Sequence, residues 1–463
     1  MTQEIAESPV PGSRDLPAWL AYLENMLGPE FSMRPGLERS ALVWQQLNPD
    51  DQRLARQIVI VAGTNGKGST AAAIAELGRA SGLRVGVYGS PHVLRFNERC
   101  RIDGVEVSDA AFCAAFERVE AARRQCGGPA VAPLSYYEFT TLAVFALLRD
   151  AAVDLVVLEV GLGGRLDTVN LIDADLAVIT RIGLDHQAVL GDTLDAIGAE
   201  KAGVLRSEAL CVLGSRDMPN SVLTRVQDLR NEVRIYGEHF DEHRYGLTDV
   251  SPGHSGTRLP AANLAAACAT FELLGHQLPR NHVQLLDSLT LPGRLQILQS
   301  DPIICIDAAH NAQAAVYLAE WLERQTGRQA GSSQATQGEK TGEIRAIFSC
   351  FADKSIEALI LPMLHLVSRW YLFPLQGARA AALPRLRQAA DTAIATARKD
   401  RGAGEASAFV PSIEAHESLV TALEAATDGL RPGDCLVAFG SFQVVEAMLL
   451  QWQRRSDNNL NAS

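Results

Sequence analysis

The chain reads as an α/β protein of two domains, each built on a largely parallel sheet. Three observations predict this. Short, almost continuously apolar runs alternate with Ala/Leu-rich stretches of helical composition along most of the sequence. A Pro-Gly pair at Pro292-Gly293 separates two such series. At 463 residues the chain is too long for one ordinary core.

In the first series, residues 57–62, 84–88, 153–160 and 175–180 read as strands. Their apolar character is nearly unbroken, as expected of parallel strands covered on both faces. Stretches such as 70–80 and 139–150 have the length and composition of the intervening crossover helices. The second series offers strands at 302–306, 344–349, 370–374 and 435–439. Leu291-Pro292-Gly293-Arg294 lies between the series as a turn or hinge, which puts the boundary near 296 and the domains at 1–295 and 296–463. Residues 326–343 and 399–408 are polar, Gly/Ser-rich and aperiodic, and read as surface loops. No internal repeat is evident.

Composition narrows the function. Hydrophobic residues make up 47% and charged residues 21%, as in a soluble globular protein. A net charge of -12 argues against nucleic acid or an anionic membrane as partner, since either wants a broad basic field. Small anionic substrates remain open, because a few focused basic side chains can hold them. The 8 cysteines form no CxxC pair, which removes the zinc-knuckle and redox-dithiol readings and leaves reduced thiols acting as small hydrophobes. Residues 1–14 contain no apolar core of a signal peptide, and the longest apolar stretch, 139–148, is half the ~20 residues of a membrane span. The expectation is a cytoplasmic protein.

The segment Gly63-Thr64-Asn65-Gly66-Lys67-Gly68-Ser69-Thr70 lies between a strand and a helix. Glycines let a backbone approach phosphates closely, and the N–H groups that open a helix point at the anion. Lys67 can reach the terminal phosphates, and Ser69 or Thr70 offers a hydroxyl. The spacing departs from GxxxxGK[ST]: Gly63 stands three residues before Gly66, and Gly68 separates Lys67 from Ser69. The context still predicts an ATP loop.

Open α/β sheets bind ligands beyond the carboxyl ends of their strands. Besides the phosphate loop, strand 84–88 delivers Ser90 and His92, strand 153–160 carries Glu159, and strand 175–180 precedes Asp185 and His186. A serine before proline is usually a turn residue, and one histidine after a strand is usually scaffold. Glu159 says more, because a carboxylate in an apolar strand is costly to bury without a cation or donors. Mg²⁺ on nucleotide phosphates would supply the cation with few protein ligands, and Ser90, Glu159 and His186 are the candidates to share it.

With these residues in view, the sequence resembles the folylpolyglutamate synthase/dihydrofolate synthase family of the Mur-ligase-like superfamily. The matching stretches are GTNGKGST (63–70), SPHVLRFNER (90–99), LEVGLGGRLD (158–167), GLDH (183–186), EKAG (200–203), LPGR (291–294) and DAAHN (307–311). They run from about residue 36 to residue 441. The resemblance implies a P-loop ATPase domain followed by a smaller Rossmann-like domain, with ATP and Mg²⁺, at two sites, as cofactors. It implies nucleotide contacts at Gly66, Lys67, Gly68, Ser69, Asn263, Arg294 and Asp307. Lys201 would be carbamylated and would sit near the second Mg²⁺, although the residue alone reads as an ordinary solvated helix lysine.

The pterin-like substrate would meet Ser32, Met33, Arg34 and Pro35, then Ser135, Tyr136, Tyr137 and Glu138, and finally Leu166, Asp167 and Thr168. In that role Asp167 would accept paired hydrogen bonds from an aminopyrimidine edge and the tyrosines would stack on a flat ring, core filling being the competing role for the tyrosines. His310 and Ser441 are the candidates beside incoming glutamate, with a turn role for Ser441 equally open. The implied activity is ATP-dependent ligation of L-glutamate to dihydropteroate and to tetrahydrofolates, by a monomer acting on small molecules. A folylpolyglutamate synthase without the dihydropteroate reaction is the alternative. A UDP-muramoyl amino acid ligase fits poorly, with only 62 residues before Gly63, and a non-catalytic nucleotide binder would not need Lys67, Glu159, His186 and Lys201 together. The chain departs from the family pattern at GGRLDTVN, where GGRLDATN is usual, at Phe348–Ser355 in place of a GxxxDKD segment, and at Leu259-Pro260 in place of His-Gln.

Overall fold

The computed structural model describes residues 14–25, 36–129, 131–247, 259–327, 342–400 and 411–462, without the side chains of residues 400 and 456–462. Ser32, Met33, Arg34 and Pro35 lie outside the described residues, as do most of the polar stretches at 326–343 and 399–408. Contacts divide the described chain into two units. One falls within Met1–Ile182, His186–Thr248 and Pro260–Leu286; the other takes Gly183–Asp185, Leu259 and the residues from Asp287 onward. The Leu291–Arg294 turn therefore lies inside the second unit.

The first unit carries eight strands: β1 (Ala55–Ala62), β2 (Val85–Tyr88), β3 (Cys100–Ile102), β4 (Val105–Glu106), β5 (Val153–Glu159), β6 (Leu176–Ile179), β7 (Leu210–Leu213) and β8 (Glu232–Ile235). Their order is β4-β3-β2-β5-β1-β6-β7-β8. All pairs are parallel except β2 with β3 and β3 with β4. After β1 the chain moves toward β2, whereas β5 leads across β1 to β6 and onward to β7. The direction of travel thus changes between β1 and β6, which in such sheets marks the ligand crevice.

β1 is central because Ile58, Val59, Ile60 and Val61 are buried on both faces. Each such side chain contributes about 1.5–3 kcal/mol on leaving water. The helix Lys67–Ala80 can lie close against the sheet because its inner face is small. A Cβ on Gly78 would stand 2.9 Å from Val85 Cγ2 and 3.2 Å from Leu155 Cδ2. The helix Tyr136–Asp150 buries almost its whole length, and Phe116 and Phe139 pack with Trp19 beside it.

The second unit is a six-stranded sheet of β9 (Gln296–Ser300), β10 (Ile303–Asp307), β11 (Ile344–Phe348), β12 (Arg369–Leu372), β13 (Ser412–Ala415) and β14 (Cys435–Phe439). The order is β13-β12-β11-β14-β10-β9, parallel except for β9 against β10. Phe348, Trp370 and Phe439 form its aromatic centre, with ring centroids 5.0–6.1 Å apart. Among the described residues no helix is long and apolar enough to cross a membrane.

Candidate active site

The phosphate loop leaves the carboxyl end of β1. Gly63 has φ +143° and presses on β6's end: a Cβ there would stand 1.8 Å from Thr180 Oγ1. Gly66, at φ +95°, is the N-cap of helix Lys67–Ala80, and a Cβ on it would meet Asn263 Oδ1 at 2.5 Å. Only glycine satisfies both the left-handed backbone and the close approach. Asn263 is thus seated on the loop. Lys67 Nζ bends back to donate to the carbonyls of Gly63 (3.1 Å) and Thr64 (3.3 Å). Gly68 and Ser69 occupy the first turn of the helix, where free N–H groups and the helix dipole favour an anion.

Two further strands end level with this loop. Val61 pairs with Glu159, and Tyr88 with Leu158. The Glu159 carboxylate is buried, with Oε2 accepting from Ser90 N at 3.4 Å. A Cβ on Gly68 or Gly89 would come within 3.5 or 3.2 Å of Glu159 Oε2. The carboxylate therefore stands between the start of the loop's helix and the turn after β2, a position suited to a divalent ion riding on nucleotide phosphates. Among the described residues no group of three or more His, Cys, Asp or Glu side chains is gathered around a common metal position. One buried carboxylate beside a serine fits the few protein ligands such an ion needs. His186 lies farther along, exposed, in a left-handed backbone (φ 52°) at the head of helix Gln187–Leu190.

Lys201 overturns its residue-level reading. In the last turn of helix Leu194–Ala202 it is 4% exposed, not solvated, and Nζ donates to Gly63 O at 2.9 Å. The VGLGGRLD stretch (160–167) puts it there. Gly164 lies so close to this helix that a Cβ would stand 2.8 Å from Glu200 O, and Arg165 N donates to the same carbonyl at 2.8 Å. Asn170 closes the joint by donating to Arg165 O and Gly203 O.

Asp167 also needs correction as an open acceptor. Its Oδ1 takes hydrogen bonds from Tyr137 Oη (3.0 Å) and Val169 N (2.9 Å), and Oδ2 from Gly161 N (3.0 Å) and Leu162 N (2.9 Å). Two donors per oxygen use up the carboxylate inside its own loop, with Thr168 buried behind it and Leu166 half-buried. Burial pushes the Asp167 carboxyl up, and these donors oppose the shift. Tyr137 is held by the same knot and stacks near Tyr88, centroids 6.3 Å apart, while Tyr136 packs edge-on to Phe96 with Arg99 over its ring. Ser135 and Glu138 are likewise engaged as a capping box: Ser135 Oγ accepts from Glu138 N, and Glu138 from Ser135 N, Arg39 and Ser40.

In the second unit, β10 ends in Asp307, whose carboxylate accepts from Leu295 N (2.8 Å) and Ala309 N (2.7 Å). Burial raises the Asp307 carboxyl, and the neighbouring Arg294 opposes the shift. Arg294 itself stacks over Phe442 at 4.9 Å. Ser441 is a cap, Oγ accepting from Val444 N at 3.2 Å, which is the turn role. His310 shares its Nδ1 with Ala308 O (2.8 Å) and brings Nε2 to 3.4 Å from Asp185. Asp185, which groups with this unit, also accepts from Lys354 Nζ at 2.5 Å and Asn311 Nδ2 at 3.2 Å. Burial would raise the Asp185 carboxyl, but His310 and Lys354 hold it well below the usual carboxylate range. Sequence reasoning missed Asp185, Lys354 and Asn311 as one cluster; the only signal was a carboxylate beside GLDH's histidine and a lysine in the altered DKD segment.

A phosphate loop at the switch point of one parallel sheet, in a chain that also carries a second, Rossmann-like sheet, defines a Mur-ligase-like, ATP-dependent ligase fold. No protein-family model matches the chain. It is 36% identical over 379 residues to dihydrofolate synthase/folylpolyglutamate synthase of Escherichia coli (strain K12), a span covering 80% of this chain and 84% of that protein. The structure of E. coli FolC in complex with DHPP and ADP superposes with a TM-score of 0.81 at 31% identity, covering 97% of this chain and all of that one. A bifunctional folylpolyglutamate synthase/dihydrofolate synthase with Mn, AMPPNP and L-glutamate bound gives 0.80 at 32% identity, covering 96% and 100%. The chain belongs to the dihydrofolate synthase/folylpolyglutamate synthase family. The chain is an ATP-dependent ligase.

Proposed function

We propose that this protein joins L-glutamate to dihydropteroate and to the γ-carboxylate of tetrahydrofolates, each through an acyl phosphate. The observation that carries the reading is the convergence of Lys67 and Lys201 on Gly63 O, with Glu159 buried across the loop. The first unit serves as the ATPase domain and the second, from Asp287 onward, as the ligase domain of a cytoplasmic monomer.

A carboxylate is a poor acyl donor because its oxygen leaves badly. In the first step a substrate carboxylate oxygen bonds to the terminal phosphorus of ATP while the bond to the bridging oxygen breaks, releasing ADP. In the second, the glutamate amine attacks the acyl carbon; the C–O bond to phosphate breaks and the nitrogen loses a proton. Positioning and charge neutralisation dominate such chemistry. Lys67 and the N–H groups of Gly66, Gly68 and Ser69 hold the phosphates, while Asn263, Arg294 and Asp307 orient the nucleotide. Mg²⁺ held at Ser90, Glu159 and His186, with a second ion at carbamylated Lys201, would lower the negative charge that the carboxylate must approach. Tyr136, Tyr137, Leu166 and Thr168, with the segment 32–35, border the pteroyl group; Asp167, Ser135 and Glu138 shape that wall without presenting free acceptors. His310 and Ser441 stand on the glutamate side.

Purified protein given ATP, Mg²⁺, L-glutamate and either dihydropteroate or tetrahydrofolate should form ADP and a product one glutamate heavier, read by mass spectrometry. Turnover of tetrahydrofolate alone would establish the monofunctional alternative, and ADP release with neither would sink the reading.

A further inference from the structure

Thr64 and Asn65, which precede the helix-starting Gly66, are held by a single carbonyl. Arg181 O accepts from Thr64 N at 2.9 Å and from Asn65 N at 3.3 Å, and Asn65 and Arg181 form an isolated antiparallel bridge. Residues facing each other in such a bridge have Cα atoms about 4.5–5.5 Å apart and side chains on one face. Arg181 follows β6, so it stands at the switch point between β1 and β6. Its side chain is exposed, and its guanidinium makes no hydrogen bond or ion pair among the described residues. Lys67 and Lys201 already place two ammonium groups on Gly63 O. The chain has acid to spare, 54 Asp and Glu against 42 Lys and Arg, yet among the described residues none of it pairs with this arginine.

We propose that Arg181 is a catalytic residue whose guanidinium contacts the non-bridging oxygens of the nucleotide's terminal phosphoryl group during transfer. The inference rests on the ligase reading above. As the bond to the bridging oxygen breaks, ADP keeps the electron pair, the carboxylate oxygen bonds to phosphorus, and no proton moves. Charge resides on the phosphoryl oxygens throughout, and a planar guanidinium offers them two parallel N–H donors, as an arginine supplied within the chain does in other phosphoryl transfers. Lysine would bring the charge without the fork.

The loop is held by Arg181's main chain, so substituting its exposed side chain leaves those bonds in place. Arg181→Ala, Arg181→Gln and Arg181→Lys are compared with wild type in single-turnover ADP formation with dihydropteroate and glutamate, in ADP binding by calorimetry, and in thermal melting. Ala and Gln should slow the phosphoryl step by on the order of 10². ADP affinity should stay within about twofold, since ADP lacks the terminal group. Lys should recover part of the rate. A rate within about twofold of wild type overturns the assignment, as does ADP affinity falling in step with rate, or a raised KM for dihydropteroate at unchanged rate. A wild-type protein that forms no ADP with any folate substrate defeats the ligase reading instead.

Discussion

An ammonium in the last turn of a helix ordinarily rests in water near the carbonyl end of the dipole. Lys201 has left that environment for a buried contact with Gly63 O, and desolvation of an unmodified ammonium is costly. A carbamate would reverse its charge and offer oxygens to a hard cation. Lys201→Met, which keeps the volume, should lose on the order of 10²–10³ in turnover while ATP binding measured by calorimetry stays near wild type. Turnover within about twofold of wild type would remove Lys201 from the reaction. Single residues are also where sequence reading was weakest. Lys67 and Glu159 were legible because a lysine among glycines and a carboxylate in an apolar strand need a chemical reason. Asp167 was legible as an acceptor, but its donors, three of them backbone amides, leave no trace in composition. Arg181 was invisible for the same reason, since its tie to the loop is a carbonyl.

At the level of elements, the helix Tyr136–Asp150 begins with a reciprocal cap that also anchors Arg39 and Ser40. Ser135→Ala should cost about 1 kcal/mol, a fall of about 2–4 °C in melting temperature, while the KM for dihydropteroate stays unchanged. A KM that rises without a change in melting would mean that Ser135 touches the substrate directly. Glu138→Gln should cost more, because the Arg39 guanidinium would lose its charge partner 2.9 Å away. The strands that run through the middle of both sheets were readable as unbroken apolar runs: β1, β2, β5, β6, β10, β11, β12 and β14 all lie within about two residues of the sequence ranges. The edge members β3, β4, β8, β9 and β13 were not, because half-exposed strands carry Arg, Glu, Gln and Ser on one face. β7 is as apolar and as short as β6, so length and hydropathy alone do not decide which such runs are legible.

For the whole molecule, the eight cysteines divide by burial. Cys100, Cys211, Cys268, Cys305, Cys350 and Cys435 are buried, and burial pushes the thiols of Cys100, Cys211, Cys268 and Cys350 up to about 12. At pH 8 these four are protonated and shielded, so iodoacetamide should label Cys113 and Cys126 first, with the buried thiols reacting only on unfolding. Mass spectrometry of the alkylated native protein checks this; early labelling of Cys350 or Cys100 would mean that a core opens readily. The division into two units was legible as two βα series, whereas the grouping of Gly183–Asp185 with the second unit was not, since three residues carry no compositional signature. The tie between the Arg181 carbonyl and the phosphate loop bears on how such a molecule can change over generations. Arg181 steadies the phosphate loop with its carbonyl, which every amino acid possesses, and its side chain lies outside any core. Mutation at this codon can therefore exchange the side chain beside the reacting phosphate while the loop keeps its anchor. A lineage could thus try different chemical groups at this position without first sacrificing its ability to fold.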